Sequence, residues 1–274
     1  MSAATPATVP AEVSAAPRLL AVEGLHKSYG GVHAVRGVSF SLEAGEMLAL
    51  IGPNGAGKST CFNMLNGQIR PDAGSVRLSG RPITGLRPRA VWRLGVGRTF
   101  QITATFASMS VRENVQVALI SHHGGLWSFR RFAGDAHRAE AEALLALVGM
   151  ADAAGRPCAE LAYGDLKRLE LAVALANSPK LLLMDEPTAG MAPQERIALM
   201  RLTAGIARDK RIGVLFTEHD MDVVFEHADR VMVLNRGELI AHGTPAEVRR
   251  DARVKAVYLG EGRLYDARHR GDET

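Results

Sequence analysis

GPNGAGKST, at residues 52–60, is the stretch that decides the fold of this chain. It follows the short apolar run Glu46–Ile51, which is predicted to be a strand, and it opens a predicted helix over Lys58–Asn66. The stretch fits G-x-x-x-x-G-K-[ST], whose glycines let consecutive backbone N–H groups point at phosphate oxygens. The N-terminal partial positive charge of the following helix also favours an anion. The stretch therefore predicts a nucleotide phosphate site formed by Gly52, Pro53, Asn54, Gly55, Ala56, Gly57, Lys58, Ser59 and Thr60.

Three side chains of this loop have separate expected partners. Lys58 is predicted to reach the β and γ phosphates, and Ser59 to offer its hydroxyl to Mg²⁺. Thr60 is expected near the α phosphate. The alternative is a chance glycine turn before a helix, and the combination of strand, full motif and helix argues against it.

A second motif places two carboxylates at the end of an apolar run. Asp185 and Glu186 directly follow the predicted buried strand Lys180–Met184. Ligands of open α/β sheets bind at such carboxyl ends of strands. We expect Asp185 to hold Mg²⁺ through water and Glu186 to polarise an attacking water, because a metal would compensate the paired charges. Taken alone, the motif could equally be a solvated strand-to-loop turn.

Composition narrows the function classes. The 274 residues are 47% hydrophobic and 23% charged, which excludes disorder of the whole chain. Aromatic residues make up 5%, which argues against a base-stacking platform for single-stranded nucleic acid, and the formal net charge of +4 is too small to imply a nucleic-acid partner on its own. Two cysteines cannot form a disulfide framework, and no apolar run is long enough to span a membrane. Residues 1–17 lack the features of a signal peptide and are predicted to be a disordered leader.

Strands alternate with helices along the chain, which predicts an α/β fold with a mostly parallel sheet. Before the phosphate loop, Arg18–Ser28 and Val32–Leu42 are predicted to form a half-buried antiparallel layer. A capping box at Ser110–Glu113 predicts a helix through about Ile120. His122 and His123 are placed in the loop that follows, facing solvent, because no carboxylate or thiol is near them in sequence to complete a metal site.

Further residues and motifs, in a fixed order along the chain, point to one family of nucleotide-binding proteins. Tyr29 precedes the phosphate loop, and Gln101 follows a predicted strand in GRTFQ. LAYGD, at residues 161–165, precedes a helix ahead of the acidic strand, and His219 stands near the end of IGVLFTEHD, just after the apolar run Ile212–Phe216. This order resembles the ATP-binding subunits of ABC transporters over about residues 18–260. RTFQ, LAYGDLKRLELA, AGMAP and VYLGE are similar to the ATPases of importers for branched-chain and other hydrophobic amino acids.

The resemblance implies a fold and its boundaries. It implies a P-loop NTPase (RecA-like) α/β core with an antiparallel β subdomain and an α-helical subdomain. Residues 18–101 would form the first part of the core with its antiparallel layer, 102–163 the helical subdomain, and 164–260 the second part of the core. Residues 261–274 are expected to be a loose tail. Within 102–109, a groove would receive a short cytoplasmic helix of a membrane subunit, although its apolar residues could equally be core filling.

The resemblance also implies roles for single residues. Tyr29 would stack on adenine, and Gln101 would reach Mg²⁺ or the attacking water. His219 would hydrogen-bond the γ phosphate and hold Glu186. The catalytic set is then Glu186, His219, Gln101 and Lys58, and the Mg²⁺ ligands are Ser59, Gln101 and Asp185.

A signature segment would complete the ATP site of a second subunit, so that ATP joins two subunits and hydrolysis releases them. It consists of Leu161, Ala162, Tyr163, Gly164 and Asp165. Ala162 replaces the usual serine and Asp165 the usual glutamine; Ala192 replaces a usual aspartate in the turn after the acidic strand. We hypothesise that the composite site using this signature turns over more slowly than its partner. Equal single-turnover rates from both sites of a heterodimer would exclude this.

The implied partners are two integral-membrane permease subunits, a second ATP-binding subunit and, indirectly, a periplasmic substrate-binding protein. The second ATP-binding subunit is expected to be a different chain, and a second copy of this chain is the alternative. The expected function is ATP hydrolysis that drives uptake of branched-chain or other hydrophobic amino acids, or related small amides, at the cytoplasmic face of the membrane. The competing functions are a soluble ABC-type ATPase acting on ribosomes or DNA, and a regulatory nucleotide-binding protein with negligible turnover.

Overall fold

A six-stranded, mainly parallel sheet forms the centre of the molecule, with strand order β10-β9-β3-β8-β7-β6. The computed structural model describes residues 18–99, 105–123 and 136–259. The predicted leader (1–17), Gln101 and the predicted tail (261–274) lie outside these residues. The strands are β1 (Leu20–Tyr29), β2 (Val32–Leu42), β3 (Met47–Ile51), β4 (Ala73–Leu78), β5 (Arg81–Pro82), β6 (Val96–Thr99), β7 (Leu181–Asp185), β8 (Gly213–Thr217), β9 (Arg230–Asn235) and β10 (Glu238–Gly243).

Helices cover the sheet and connect its strands. Short 3₁₀ turns lie at Ala151–Ala153 and Cys158–Glu160. The helices are α1 (Lys58–Leu65), α2 (Pro88–Arg93), α3 (Val111–His123), α4 (Arg138–Leu147), α5 (Tyr163–Leu175), α6 (Pro193–Lys210), α7 (Met221–His227), α8 (Pro245–Arg250) and α9 (Ala252–Leu259). Within the described ranges, no helix is both long enough and apolar enough to cross a bilayer.

The central strands are apolar on both faces because both faces of the sheet are buried. In β7, Leu181 and Leu183 belong to one core cluster, whereas Leu182 and Met184 belong to the other. The same alternation holds along β3 and β8. Parallel strands covered on both sides show such continuous apolar runs. Because β3, β6, β7, β8 and β9 pair in parallel, their carboxyl ends lie at the same edge of the sheet.

One face of the central sheet packs against a second, antiparallel sheet of order β2-β1-β4-β5. Val22, Leu25, Val35 and Val38 from β1 and β2 join the core on that side, as does Phe62 of α1. The predicted antiparallel layer is therefore confirmed. Its period-two pattern is imperfect because the register of β1 against β2 shifts at three places.

The opposite face is covered by helices. Val115 and Leu119 of α3, Leu145 of α4 and Leu169 of α5 lie in the same core cluster as Met184 of the sheet. The predicted capping box is present, since Glu113 accepts a hydrogen bond from the Ser110 backbone N–H at 2.7 Å, and the Glu113 N–H reaches the Ser110 hydroxyl at 3.3 Å.

The predicted end of α3 was wrong. The helix continues three residues beyond Ile120, so His122 and His123 belong to its last turn rather than to a loop. A carboxylate also lies close by: Glu140 Oε2 is 3.2 Å from His123 Nε2. The distance of Glu140 along the sequence concealed this neighbour. His122 packs its ring edge against Trp92, with 5.5 Å between the ring centroids.

Candidate functional site

The loop between β3 and α1 needs glycine at two positions for steric reasons. Gly52 and Gly57 have φ angles of 153° and 107°. A Cβ atom on Gly52 would collide with the carbonyl oxygen of Leu234, and one on Gly57 with that of Ala34. A side chain at either position would therefore displace the backbone that surrounds the loop. The predicted phosphate motif has the tight curl that its glycines imply.

Lys58 begins α1 and lies across this loop. Its side chain is buried, with 8% of the residue exposed. The ammonium donates hydrogen bonds to the carbonyl oxygens of Gly52, at 2.6 Å, and of Pro53, at 3.1 Å. Ser59 is exposed beside it. These contacts hold the lysine charge over the loop, where it favours an anion.

The acidic pair ends β7, which is separated from β3 in the sheet only by β8. Asp185 Oδ1 accepts a hydrogen bond from the Thr217 hydroxyl at 2.8 Å. Arg98 of β6 lies 3.4 Å from the other carboxylate oxygen and donates to Asn63 of α1 at 2.8 Å. Burial lowers the pKa of Arg98, and the charge of Asp185 opposes that change. The arginine thus ties the acidic strand to the helix that follows the phosphate loop.

Glu186 is held in an unusual backbone conformation. Its φ of 49° lies in the left-handed region, which costs a residue with a side chain about 1–2 kcal/mol. Its N–H donates to the Thr217 hydroxyl at 3.0 Å. His219 Nε2 lies 2.7 Å from Glu186 Oε1. Strain of this kind persists where surrounding contacts fix the residue and is common at functional sites.

Glu218 is a buried carboxylate behind this pair. It accepts hydrogen bonds from the Thr188 N–H at 2.9 Å, from the Thr188 hydroxyl at 2.7 Å and from the His219 N–H at 3.2 Å. Desolvation raises the pKa of Glu218 and the charge of Glu186 adds to this, while the hydrogen bonds oppose it. Glu218 therefore connects the turn after β7 to the turn after β8.

Thr217, Glu218 and Thr188 were not predicted to be site residues. The only available indication was position, since Thr217 and Glu218 directly precede His219 at the end of a strand. Asp185, Glu186 and His219 do meet at the carboxyl edge of the sheet, on the same edge as the phosphate loop. Gln101 lies outside the described residues.

The predicted signature segment forms the start of α5. Ala162 takes the N-cap position with φ −63° and ψ 156°, and no side chain caps the helix there. Asp165 lies in the first turn, where its charge suits the helix dipole. The Tyr163 hydroxyl donates to the carbonyl oxygen of Ala189 at 3.0 Å. The signature segment is thus hydrogen-bonded to the turn that follows Glu186.

Tyr29 and Ala192 lie at the ends of two further elements. Tyr29 ends β1 with 46% of its surface exposed, and the Lys27 ammonium lies 5.5 Å from the centre of its ring. The exposed part of the ring is accessible to a ligand. Ala192 is the N-cap of α6, where Glu195 accepts a weak hydrogen bond from its N–H at 3.4 Å.

Comparison with known proteins identifies the family. The family described as ABC transporter matches residues 35–189, and the family described as Branched-chain amino acid ATP-binding cassette transporter matches residues 238–263. The chain belongs to the ABC transporter ATP-binding family. It is an ABC ATPase, and the predicted fold class and resemblance are both confirmed.

Several relatives and solved structures agree with this. The chain is 41% identical over 250 residues to the high-affinity branched-chain amino acid transport ATP-binding protein LivG of Salmonella typhimurium, covering 89% of this chain and 98% of that protein. It is 39% identical over 254 residues to BraF of Pseudomonas aeruginosa, covering 89% and 98%. A solved ADP conformation of an ATP-binding cassette of an ABC transporter superposes with a TM-score of 0.80 at 30% identity, covering 89% and 99%.

The donor atoms of this ABC ATPase fit a magnesium ion. Ser59 offers a hydroxyl and Asp185 a carboxylate, both of them oxygen donors. Mg²⁺ prefers oxygen ligands and usually keeps several waters beside one or two carboxylates and substrate phosphates. Ser59 and Asp185 offer oxygen ligands only, so they suit Mg²⁺ bound together with a nucleotide.

Proposed function

We propose that this ABC ATPase powers an importer of branched-chain or other hydrophobic amino acids, or of related small amides. The observation that carries the catalytic part is the 2.7 Å contact between His219 and Glu186, one residue from Asp185 at the edge of the sheet. The substrate class is supported by the names of LivG and BraF and by the branched-chain transporter family match at residues 238–263.

Nucleotide binding begins with the base and the phosphates. In this proposal, Tyr29 stacks its exposed ring on adenine, and residues 52–60 surround the phosphates with backbone N–H groups. Lys58 exchanges its hydrogen bonds to Gly52 and Pro53 for phosphate oxygens. Both carbonyl groups belong to the loop that would surround the phosphates, so the lysine already lies at that loop.

Magnesium would be held by Ser59, Asp185 and Gln101. When bound, Mg²⁺ supplies positive charge that neutralises the phosphates. Thr217 and Arg98 orient the Asp185 carboxylate from behind, at 2.8 and 3.4 Å. Such supporting contacts set the direction in which a ligand oxygen points.

Hydrolysis is assigned to Glu186 and His219. Glu186 polarises the attacking water, and His219 holds the Glu186 carboxylate and reaches towards the γ phosphate. The left-handed backbone of Glu186 and its N–H bond to Thr217 fix the position from which the carboxylate acts. Pre-positioning of this kind lowers the barrier because the groups need not be ordered during the reaction.

The active unit in this proposal contains two ATP-binding subunits. Residues 161–165 complete the site of the second subunit, and ATP binding closes the pair. Two integral-membrane permease subunits hold the pair at the cytoplasmic face of the inner membrane, and a periplasmic substrate-binding protein delivers the amino acid. The exposed Phe106, 52% accessible, lies on the segment proposed to contact a permease helix.

The test is transport in proteoliposomes that contain the chain with its cognate permeases, second ATPase and binding protein. ATP-dependent uptake of leucine, isoleucine or valine is expected, and Glu186→Gln in this chain should reduce both uptake and ATP hydrolysis. ATP hydrolysis stimulated by ribosomes or DNA, without association with permeases, would contradict the proposal.

A further inference from the structure

Two histidines and a glutamate converge where the end of α3 meets the start of α4. His123 is the last residue of α3, His137 precedes α4, and Glu140 lies in the first turn of α4. Glu140 Oε2 is 3.2 Å from His123 Nε2 and also 3.2 Å from His137 Nδ1. One ligand atom from each residue lies within 4.8 Å of the other two. None of these residues belongs to the nucleotide site.

We propose that His123, His137 and Glu140 bind a transition-metal ion of the zinc type, which joins the ends of α3 and α4. Two ligands of a tetrahedral zinc, each about 2.0–2.1 Å from the ion, stand about 3.3 Å apart. The 3.2 Å between His123 Nε2 and Glu140 Oε2 already matches that spacing, and His137 Nδ1 lies close enough to join them once its ring turns. Two imidazoles and one carboxylate are a known zinc ligand set, with water in the fourth position.

The ligand chemistry separates this ion from the magnesium of the nucleotide site. Imidazole nitrogen suits Zn²⁺, Co²⁺, Ni²⁺ and Cu²⁺, whereas Mg²⁺ prefers oxygen. The side chains are partly accessible, with exposures of 43% for His123, 30% for His137 and 44% for Glu140. An ion can therefore enter from solvent without opening the core.

Binding requires one local adjustment. The rings of His123 and His137 are stacked, with centroids 4.5 Å apart and 9° between their planes. A metal lies close to the plane of each ring that binds it, so one ring must turn about its Cβ–Cγ bond. The His123 ring also packs edge-on against the His122 ring, with 5.0 Å between the ring centroids. Turning His123 would break that contact. We assign the turn to His137.

A metal ion at this cluster would link α3 to α4, the two helices that pack against α5 and its signature segment. Leu119 of α3 and Leu145 of α4 share a core cluster with Leu169 of α5. Since α5 begins with the signature segment, an ion between α3 and α4 stabilises the packing on which that helix rests. Metal that binds only the folded chain raises its melting temperature.

The experiment uses the full chain without a histidine tag, freed of metal with EDTA and held in millimolar Mg²⁺. Calorimetric titration with Zn²⁺ should show one site of micromolar or tighter affinity, and Co²⁺ should give the intense visible absorption of a tetrahedral site. His123→Ala, His137→Ala and Glu140→Gln should each weaken binding by more than about tenfold, since even residues behind metal ligands have effects of that size.

The matched control is His242→Ala, which removes an exposed histidine of β10 outside the cluster. It should leave the affinity and the cobalt spectrum unchanged. Thermal melts without metal establish that each variant is folded, and zinc should raise the melting temperature of the wild type but not that of His123→Ala. Binding that saturates only at millimolar zinc, or that survives the three ligand substitutions, would overturn the proposal.

Discussion

Replacing Thr217 by valine should weaken both stability and catalysis, because one hydroxyl holds the Asp185 carboxylate and the backbone of Glu186. Thr217 is fully buried, donates to Asp185 at 2.8 Å and accepts from the Glu186 N–H at 3.0 Å. A hydrogen bond to a charged group contributes about 1.5–3 kcal/mol, and a neutral one about 0.5–1.5 kcal/mol. The Glu186 N–H keeps a second acceptor, the Thr217 carbonyl oxygen at 3.2 Å, so its loss is partial.

The expected cost of Thr217→Val is therefore about 2–3 kcal/mol of unfolding free energy. Valine has the same shape as threonine, so no cavity adds to this figure. Urea unfolding of the nucleotide-free chain measures it by linear extrapolation. Steady-state ATP hydrolysis should fall as well, since Asp185 and Glu186 both lose a contact that orients them.

Thr217→Ser is the control, because it keeps the hydroxyl and removes one methyl group, at a cost of about 1 kcal/mol. The serine variant should retain most of the ATPase activity. If the valine variant were as stable as the serine variant and equally active, the hydroxyl would not hold Asp185 and the Glu186 backbone in place, and the prediction would be refuted.

Three further predictions follow from single positions. Glu186→Gly should be more stable than Glu186→Ala by about 0.5–1 kcal/mol of unfolding free energy, because glycine accepts the left-handed backbone at φ 49°. Both variants should lose ATP hydrolysis. Equal stabilities of the two variants in urea would contradict this prediction. Ala192→Asp should raise the melting temperature and add about 1 kcal/mol, because aspartate caps the α6 N-terminus; a variant with no gain would show that the turn prevents capping. Desolvation raises the pKa of Glu218, so the folded chain holds its proton more tightly than the unfolded chain. The contribution of Glu218 to stability therefore falls as pH rises from its ordinary pKa of 4.5 through the raised value, and Glu218→Gln should gain stability relative to wild type over that range in urea titrations; a difference independent of pH would refute the assignment.

The phosphate loop and the acidic strand end were predictable because their chemistry is local. Residues 52–60 carry the glycines, the lysine and the hydroxyls in one continuous stretch, and the strand and helix on either side are short-range features. The apolar runs of β3, β7 and β8 also identified the buried strands to within one residue. The family resemblance supplied roles that pattern alone did not, and those of Tyr29 and His219 remain predictions.

The amino-acid sequence by itself determined that the chain is an α/β nucleotide-binding protein, since the motif and the alternation of strands and helices are properties of neighbouring residues. Only the tertiary structure decided which side chains meet across the sheet edge and between helices. Sheet order places Thr217 and Glu218 behind Asp185 and Glu186, about thirty residues away in sequence. Helix packing likewise brings Glu140 to His123, seventeen positions apart. Such contacts depend on how buried surfaces assemble, which no short stretch of sequence specifies.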